Sequence, residues 1–162
     1  MTIETERLEL RPVERGDLEP WAALLADPEV TRLLHFPDPH SRDEAAALLE
    51  RTIERADGPV AMYAVLLRAT GETVGFVGFA PRHLEWGDEI ELGWSLLRAH
   101  HGNGYATESA RALRPLVAGR VIALIRTENA ASQNVAGKIG MAHERDTIWA
   151  GFATGVWVSA RP

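Results

Sequence analysis

Two acidic residues and a pair of glycines carry the first chemical signal in this chain. In Glu89-Ile90-Glu91-Leu92-Gly93-Trp94-Ser95-Leu96 the apolar residues fall at alternate positions. An extended backbone therefore puts Ile90, Leu92, Trp94 and Leu96 on one face and Glu89, Glu91, Gly93 and Ser95 on the other. A carboxylate on a strand face that borders a cleft can take a proton from a substrate; on an open face it is only solvated. Glu91 admits both readings and Glu89 favours the second. Shortly after, His100-His101-Gly102-Asn103-Gly104 precedes a helical stretch that starts at about Tyr105. Glycines let a ligand approach the backbone closely, and the free N–H groups of a helix start suit an anion such as a diphosphate. Further on, Asn129-Ala130-Ala131-Ser132-Gln133-Asn134 offers short polar side chains. Ser132 there is either a helix N-cap or a hydrogen-bond donor to a substrate.

The elements around these residues place them at one edge. Glu89 to Ile125 reads as strand, glycine loop, helix, strand, and a right-handed crossover of that form brings both strand C-termini and the helix N-terminus together. Upstream, Arg7 to Arg11 alternates as a half-buried strand ended by Pro12, and Asp17 can cap a helix through Leu18, Trp21, Leu24 and Leu25. Asp27-Pro28 stops that helix and can start a short second piece. Ser41-Arg42-Asp43-Glu44 is a capping box opening a helix that ends at Gly58-Pro59. Val60–Leu67 and Val74–Ala80 are apolar runs joined by a turn-rich linker, as in a hairpin. Pro115 must kink or end the helix from Tyr105, Val121–Ile125 is a short strand, Ser132–Ile139 reads as a helix closed by Gly140, and Ile148–Val158 as a closing hairpin. Trp21, Trp94 and Trp157 sit in apolar patterns and are read as core. Trp86 and Trp149 flank turns, and Trp86 is the one expected to line an acceptor pocket.

Composition removes several classes of function. The chain has 162 residues, 46% apolar and 25% charged, and is expected to form one domain over residues 1–162. With 17 basic and 23 acidic side chains the net charge is -6, which argues against nucleic acid as a partner. There is no cysteine, hence no thiolate ligand and no cysteine nucleophile. The six histidines show no metal-binding spacing, so no metal is expected. No apolar run is long enough for a membrane span and the first residues do not read as a signal peptide, so a cytoplasmic protein without a membrane partner is expected. A dinucleotide fingerprint would need a glycine where Thr107 stands, and no G-K-[ST] occurs, which disfavours NAD and ATP.

The ordered set of motifs resembles the GNAT acyltransferases, in particular the branch of the RimJ and RimL N-acetyltransferases. The resemblance runs through nearly the whole chain: Glu6-Arg7-Leu8-Glu9-Leu10-Arg11-Pro12, then Gly93-Trp94-Ser95-Leu96, then Gly102 to Glu108, then Asn129 with Ser132, then Lys138-Ile139-Gly140-Met141. It implies an α/β (α+β) fold, with a mixed, mostly antiparallel sheet of six to seven strands splayed at the centre under about four helices. It also implies acetyl-CoA as donor cosubstrate, held by Leu96 and Leu97 along the pantetheine arm, by His101, Gly102, Asn103, Gly104, Tyr105, Ala106 and Thr107 at the diphosphate, and by Asn129, Ser132 and Asn134. The backbone N–H near Leu96 is then the oxyanion donor, Glu91 the base, directly or through water, and Ser132 the donor to the departing thiolate. Three positions depart from the family pattern: Ala99, His101, and Ala136, where many relatives carry a tyrosine that protonates the thiolate.

The expected function is N-acetylation of a primary amine, either a protein N-terminal α-amine or a small molecule, by direct transfer in a ternary complex. Acids beside the cleft would attract any cationic amine, which keeps polyamine-like and antibiotic-like acceptors open. Ala136 motivates an alternative, a non-catalytic acyl-CoA sensor. Monomer and homodimer are both compatible with the sequence.

Overall fold

Alternation, capping and turns order the chain as β1 (Ile3–Glu4), β2 (Leu8–Pro12), α1 (Leu18–Ala26), α2 (Pro28–Thr31), α3 (Arg42–Glu54), β3 (Met62–Leu67), β4 (Thr73–Leu84), β5 (Gly87–Leu96), α4 (Tyr105–Leu113), β6 (Ile122–Arg126), α5 (Ala130–Lys138), β7 (Met141–Trp149) and β8 (Phe152–Ser159). This is a computed structural model that describes residues 1–159; residues 160–162, the last of the expected domain, lie outside them. The strands form one sheet of eight, in the order β1-β2-β3-β4-β5-β6-β8-β7. All neighbours are antiparallel except β5 and β6. The strand beyond the expected number is β1, which sets Ile3 opposite Leu10 and is too short to show an alternation in sequence.

Helices cover both faces. Trp21, Leu24 and Leu25 of α1 and Ala45 and Leu49 of α3 pack on Phe76, and the Trp21 and Phe76 rings meet edge-on at 4.9 Å. On the opposite face Ala110 and Leu113 of α4 pack on Leu8, Val65, Val77 and Leu92. The capping box of α3 forms: Glu44 N donates to Ser41 Oγ at 3.2 Å, and Ser41 N to the Glu44 carboxylate at 2.7 Å. Those bonds hold the Glu44 carboxyl below its usual range. Asp17 behaves differently from its expected capping role. Its side chain accepts two bonds from Arg11, at 2.7 and 2.9 Å, and one from Glu14 N at 2.8 Å. A forked guanidinium on a carboxylate outweighs a single capping bond, so Asp17 ties α1 to β2.

β4 runs to Leu84, past the expected end at Ala80. The strand passes through Pro81 because the N–H that proline lacks would face β3, and β3 begins only at Met62, opposite Gly78. This extension sets Arg82 opposite Glu89 of β5, from where its side chain reaches diagonally to Glu91. At the other end of the crossover α4 stops at Leu113 and a short 3-10 turn takes up Arg114–Leu116, as Pro115 requires.

Candidate active site

The parallel pair at the centre of the sheet opens almost as soon as it forms. β5 and β6 meet at Glu91 and Ile122, after which β6 continues only against β8. The antiparallel register with β4 then fixes where the backbone of β5 points. Leu97 N donates to Val74 O at 2.9 Å, so Leu97 and Ser95 turn their peptide groups toward β4, while Leu96 and Trp94 turn theirs to the side that β6 has left. Of the two expected pantetheine contacts, Leu97 is corrected, because its N–H is spent on Val74. Leu96 keeps its place, although its carbonyl already accepts from His101 Nε2 at 2.9 Å.

A cavity of about 190 Å³ fills the opening, bounded by Glu91, Gly93, Trp94 and Ser95 of β5, by Ala123 to Arg126 of β6, and by Asn129 and Ser132 at the start of α5. Its outer wall is the segment Leu33 to Phe36, with Arg82 and Trp149. Glu91 is buried, and its Oε2 accepts from Arg82 Nε, which leaves Oε1 for a ligand or a water. Glu89 takes a different path although it shares a strand face with Glu91. Its carboxylate accepts from Arg120 Nε at 2.9 and 3.1 Å and from Trp86 Nε1 at 3.1 Å, outside the cavity. The expectation for Trp86 is therefore reversed: Trp86 lies under Arg145, its ring centroid 4.0 Å from the guanidinium carbon, and Trp149 lines the cavity.

Ser132 is not the N-cap of α5. The helix starts two residues earlier, and Asn129 caps it, Oδ1 accepting from Ser132 N at 3.1 Å. The Ser132 hydroxyl is thereby free of a capping role at the cavity wall. Asn134 is exposed one turn along and joins neither the cavity nor the glycine loop. Ala136 is fully buried against Ala123, Ile125 and Met141, so the departure there belongs to the core beneath the site.

In the loop, Gly102 and Gly104 hold φ of +78° and +81°, a conformation that glycine adopts without strain. Gly104 is the N-cap of α4, which leaves the first amides of that helix, from Tyr105, Ala106 and Thr107, without helical acceptors. Arg7 fastens the loop from below: Nη1 donates to Asn103 O at 3.0 Å, Nε to Glu108 Oε2 at 2.7 Å, and the guanidinium lies 4.7 Å from the Tyr105 ring centre. Beside Gly104 and Thr107 a surface depression also collects Arg111 and Lys138. Two glycines, open helix amides and the cations Arg111 and Lys138, beside an Arg7 that Glu108 neutralises, fit a diphosphate with a further phosphate.

Sequence reasoning missed three residues of the cavity, Arg82, Arg126 and His35. Arg82 lies beyond the expected end of its strand. Arg126 closes an apolar run and gives no signal of its own, and His35 stands in a segment without periodicity. Arg126 Nη1 donates to Arg32 O at 2.7 Å and to Leu34 O at 3.2 Å. It thus straps the outer wall to β6.

A family model described as "Acetyltransferase (GNAT) domain" matches residues 7–142. The chain belongs to the GNAT acetyltransferase family. It is therefore an acetyltransferase, and a sensor without catalysis is set aside. Among relatives of this GNAT chain, the uncharacterized N-acetyltransferase p20 of Bacillus licheniformis is 31% identical over 140 residues, covering 81% of this chain and 76% of that one. An acetyltransferase of Agrobacterium tumefaciens superposes with a TM-score of 0.83 at 25% identity, over 99% of this chain and 95% of the other. The ribosomal-protein α-N-acetyltransferase RimL, solved in complex with coenzyme A, shares the fold with a TM-score of 0.83 at 20% identity, over 99% and 98% of the two chains. Among the described residues no helix is long and apolar enough to cross a membrane.

Proposed function

We propose that this GNAT enzyme is an acetyl-CoA-dependent N-acetyltransferase of the RimJ/RimL-like branch, a single domain that acts in the cytoplasm as a monomer or homodimer. It acetylates a primary amine by direct transfer in a ternary complex. The observation that carries the reading is the single register pair between β5 and β6, beyond which the Trp94 and Leu96 peptide groups face a cavity bounded by Glu91 and Ser132. Acetyl-CoA supplies the acetyl thioester. Gly102 to Thr107, with His101 at the strand end, hold its diphosphate, and Leu96, Asn129 and Ser132 line the path of its arm. Asn134 is left outside that path.

An amine reaches the site as an ammonium ion and must lose one proton before it can attack. Glu91 Oε1 accepts that proton, directly or through water. Leu96 N–H stabilises the oxyanion and Ser132 donates to the thiolate. The charge of Glu91 is matched by Arg82, and Arg126 stands on the other wall with Glu128 as its partner. Such a cavity offers a polycation no unpaired acid, which supports a monoamine or an N-terminal α-amine, the group named for RimL, as the acceptor. An α-amine with pKa near 8 is already about a tenth neutral at pH 7, so a modest base suffices.

Calorimetric titration with acetyl-CoA, beside NAD, tests the reading first. Saturable binding of acetyl-CoA alone, followed by thiol release with an N-terminal peptide, is the expected result. Absence of binding at high micromolar acetyl-CoA would end it.

A further inference from the structure

The cavity holds a second proton acceptor that no motif announces. His35 lies on its outer wall, in the segment that Arg126 straps to β6, with its ring 4.4 Å from that of Trp149. One tautomer satisfies both of its neighbours' contacts: with the Thr154 hydroxyl donating to Phe152 O at 2.9 Å, the 2.9 Å contact between His35 Nε2 and Thr154 Oγ1 calls for a proton on Nε2. Nδ1 then carries the lone pair, and among the described residues no group donates to it.

We propose that His35 Nδ1 is the lone pair that receives the acceptor amine: it accepts the amine N–H and takes that proton as the new C–N bond forms. The inference rests on the acetyltransferase reading above and completes its proton count. An ammonium ion loses two protons on becoming an amide nitrogen. The first leaves before attack, to Glu91. The second leaves when nitrogen replaces sulfur on the carbonyl carbon; His35 Nδ1 takes it, the sulfur departs with the electron pair of the C–S bond, accepts a hydrogen bond from Ser132 and takes its proton from solvent, and Glu91 and the imidazolium return their protons to water.

Burial, then the charges of Arg126 and Arg82, push the imidazole down from 6.5 to about 4, so the ring is neutral at pH 7 and its lone pair is available; the same shift makes it a weak base, suited to a nitrogen that bond formation to the carbonyl carbon has already made acidic. The charged groups around it are Arg82 on β4, which carries Glu91 of β5, and Arg126 on β6, which carries Glu128.

The test separates the two proton acceptors. Turnover is measured with ethylamine, charged at pH 7, and with 2,2,2-trifluoroethylamine, neutral at pH 7. Glutamine at position 35 can keep a donor toward Thr154 and has no base at Nδ1, so a role limited to packing predicts that His35→Gln restores activity. The proposal predicts a drop in kcat/KM of roughly 100-fold with both amines, unrelieved at higher pH, while acetyl-CoA affinity stays within about twofold. Glu91→Gln is hurt with ethylamine and far less with the neutral amine. Nitrogen-15 NMR of the wild-type imidazole gives a readout that needs no variant: Nδ1 unprotonated at about neutral pH, its resonance moved by ethylamine. Normal acetyl-CoA binding with an unimpaired His35→Gln variant, or a proton found on Nδ1, overturns this assignment alone. A wild-type protein that fails to bind acetyl-CoA overturns the reading beneath it as well.

Discussion

The two sides of the cleft are built from different materials. The side proposed for the cofactor is backbone: a strand edge turned toward a gap, two glycines at positive φ, and the first amides of α4, with Arg7 fastening them from beneath. The side proposed for the acceptor is side chains: His35, Arg82, Glu91, Arg126 and Trp149, drawn from separate segments and held by ion pairs and a strap. A backbone site recognises what every acyl donor shares. A side-chain site varies at little structural cost, so on this proposal acceptor choice is written there, and injuries to the two sides should be separable.

The largest separation is expected at Gly104. A non-glycine residue at φ +81° carries strain of about 1–2 kcal/mol, and an aspartate adds charge repulsion against a diphosphate. Gly104→Asp is expected to weaken acetyl-CoA binding by about 100-fold, and Gly104→Asn, which tolerates the conformation and carries no charge, by about 10-fold. Calorimetry checks both. Equal losses in the two variants would mean that conformation rather than charge dominates there. Glu91→Gln injures the other side. Its kcat/KM should fall by roughly 10- to 100-fold at pH 7 with unchanged acetyl-CoA affinity, and recover as pH approaches the pKa of the amine. Loss of acetyl-CoA affinity in this variant would break the division.

The same contrast explains what could be read from the sequence. The cofactor side is contiguous: Gly102-Asn103-Gly104 and the alternation from Glu89 to Leu96 announce a turn, a helix start and a strand at known spacings, and all three form. The acceptor side exists only after folding. Arg82 and Glu91 meet because β4 passes through Pro81, where the missing N–H has no partner to lose, and His35 meets Thr154 because Arg126 holds down a segment that has no periodicity. Ser132 was ambiguous in sequence because a helix start can be capped by any of several short polar residues, and the register of α5 gives that work to Asn129. Glu89 and Glu91 share a face in any alternation, yet Arg120 and Arg82 send them to different networks.

Arg126→Met sharpens the contrast by cutting the strap with little change of bulk. It removes the bonds to the Arg32 and Leu34 carbonyls, and hydrogen bonds from a charged donor contribute roughly 1.5–3 kcal/mol. The acceptor KM should rise by about 10-fold, amide exchange should quicken across residues 32–36, and acetyl-CoA affinity should hold. A loss confined to acetyl-CoA binding would show that the strap serves the cofactor side instead.

The smallest effect is on stability. A histidine near 6.5 in the unfolded chain and at about 4 in the native state binds fewer protons when folded throughout that interval. Stability therefore rises with pH across it: the contribution is whole above about 6.5 and is lost as pH falls toward 4. The ring is only half-buried, so solvent screening should hold the total to on the order of 1 kcal/mol. His35→Gln lacks this term and keeps every carboxylate, so urea unfolding of both proteins at pH 7 and pH 5 isolates it. The wild type should lose more stability than the variant between those two values. Parallel losses would mean that His35 titrates alike in both states, and that its lone pair is held ready by hydrogen bonding to Thr154 alone.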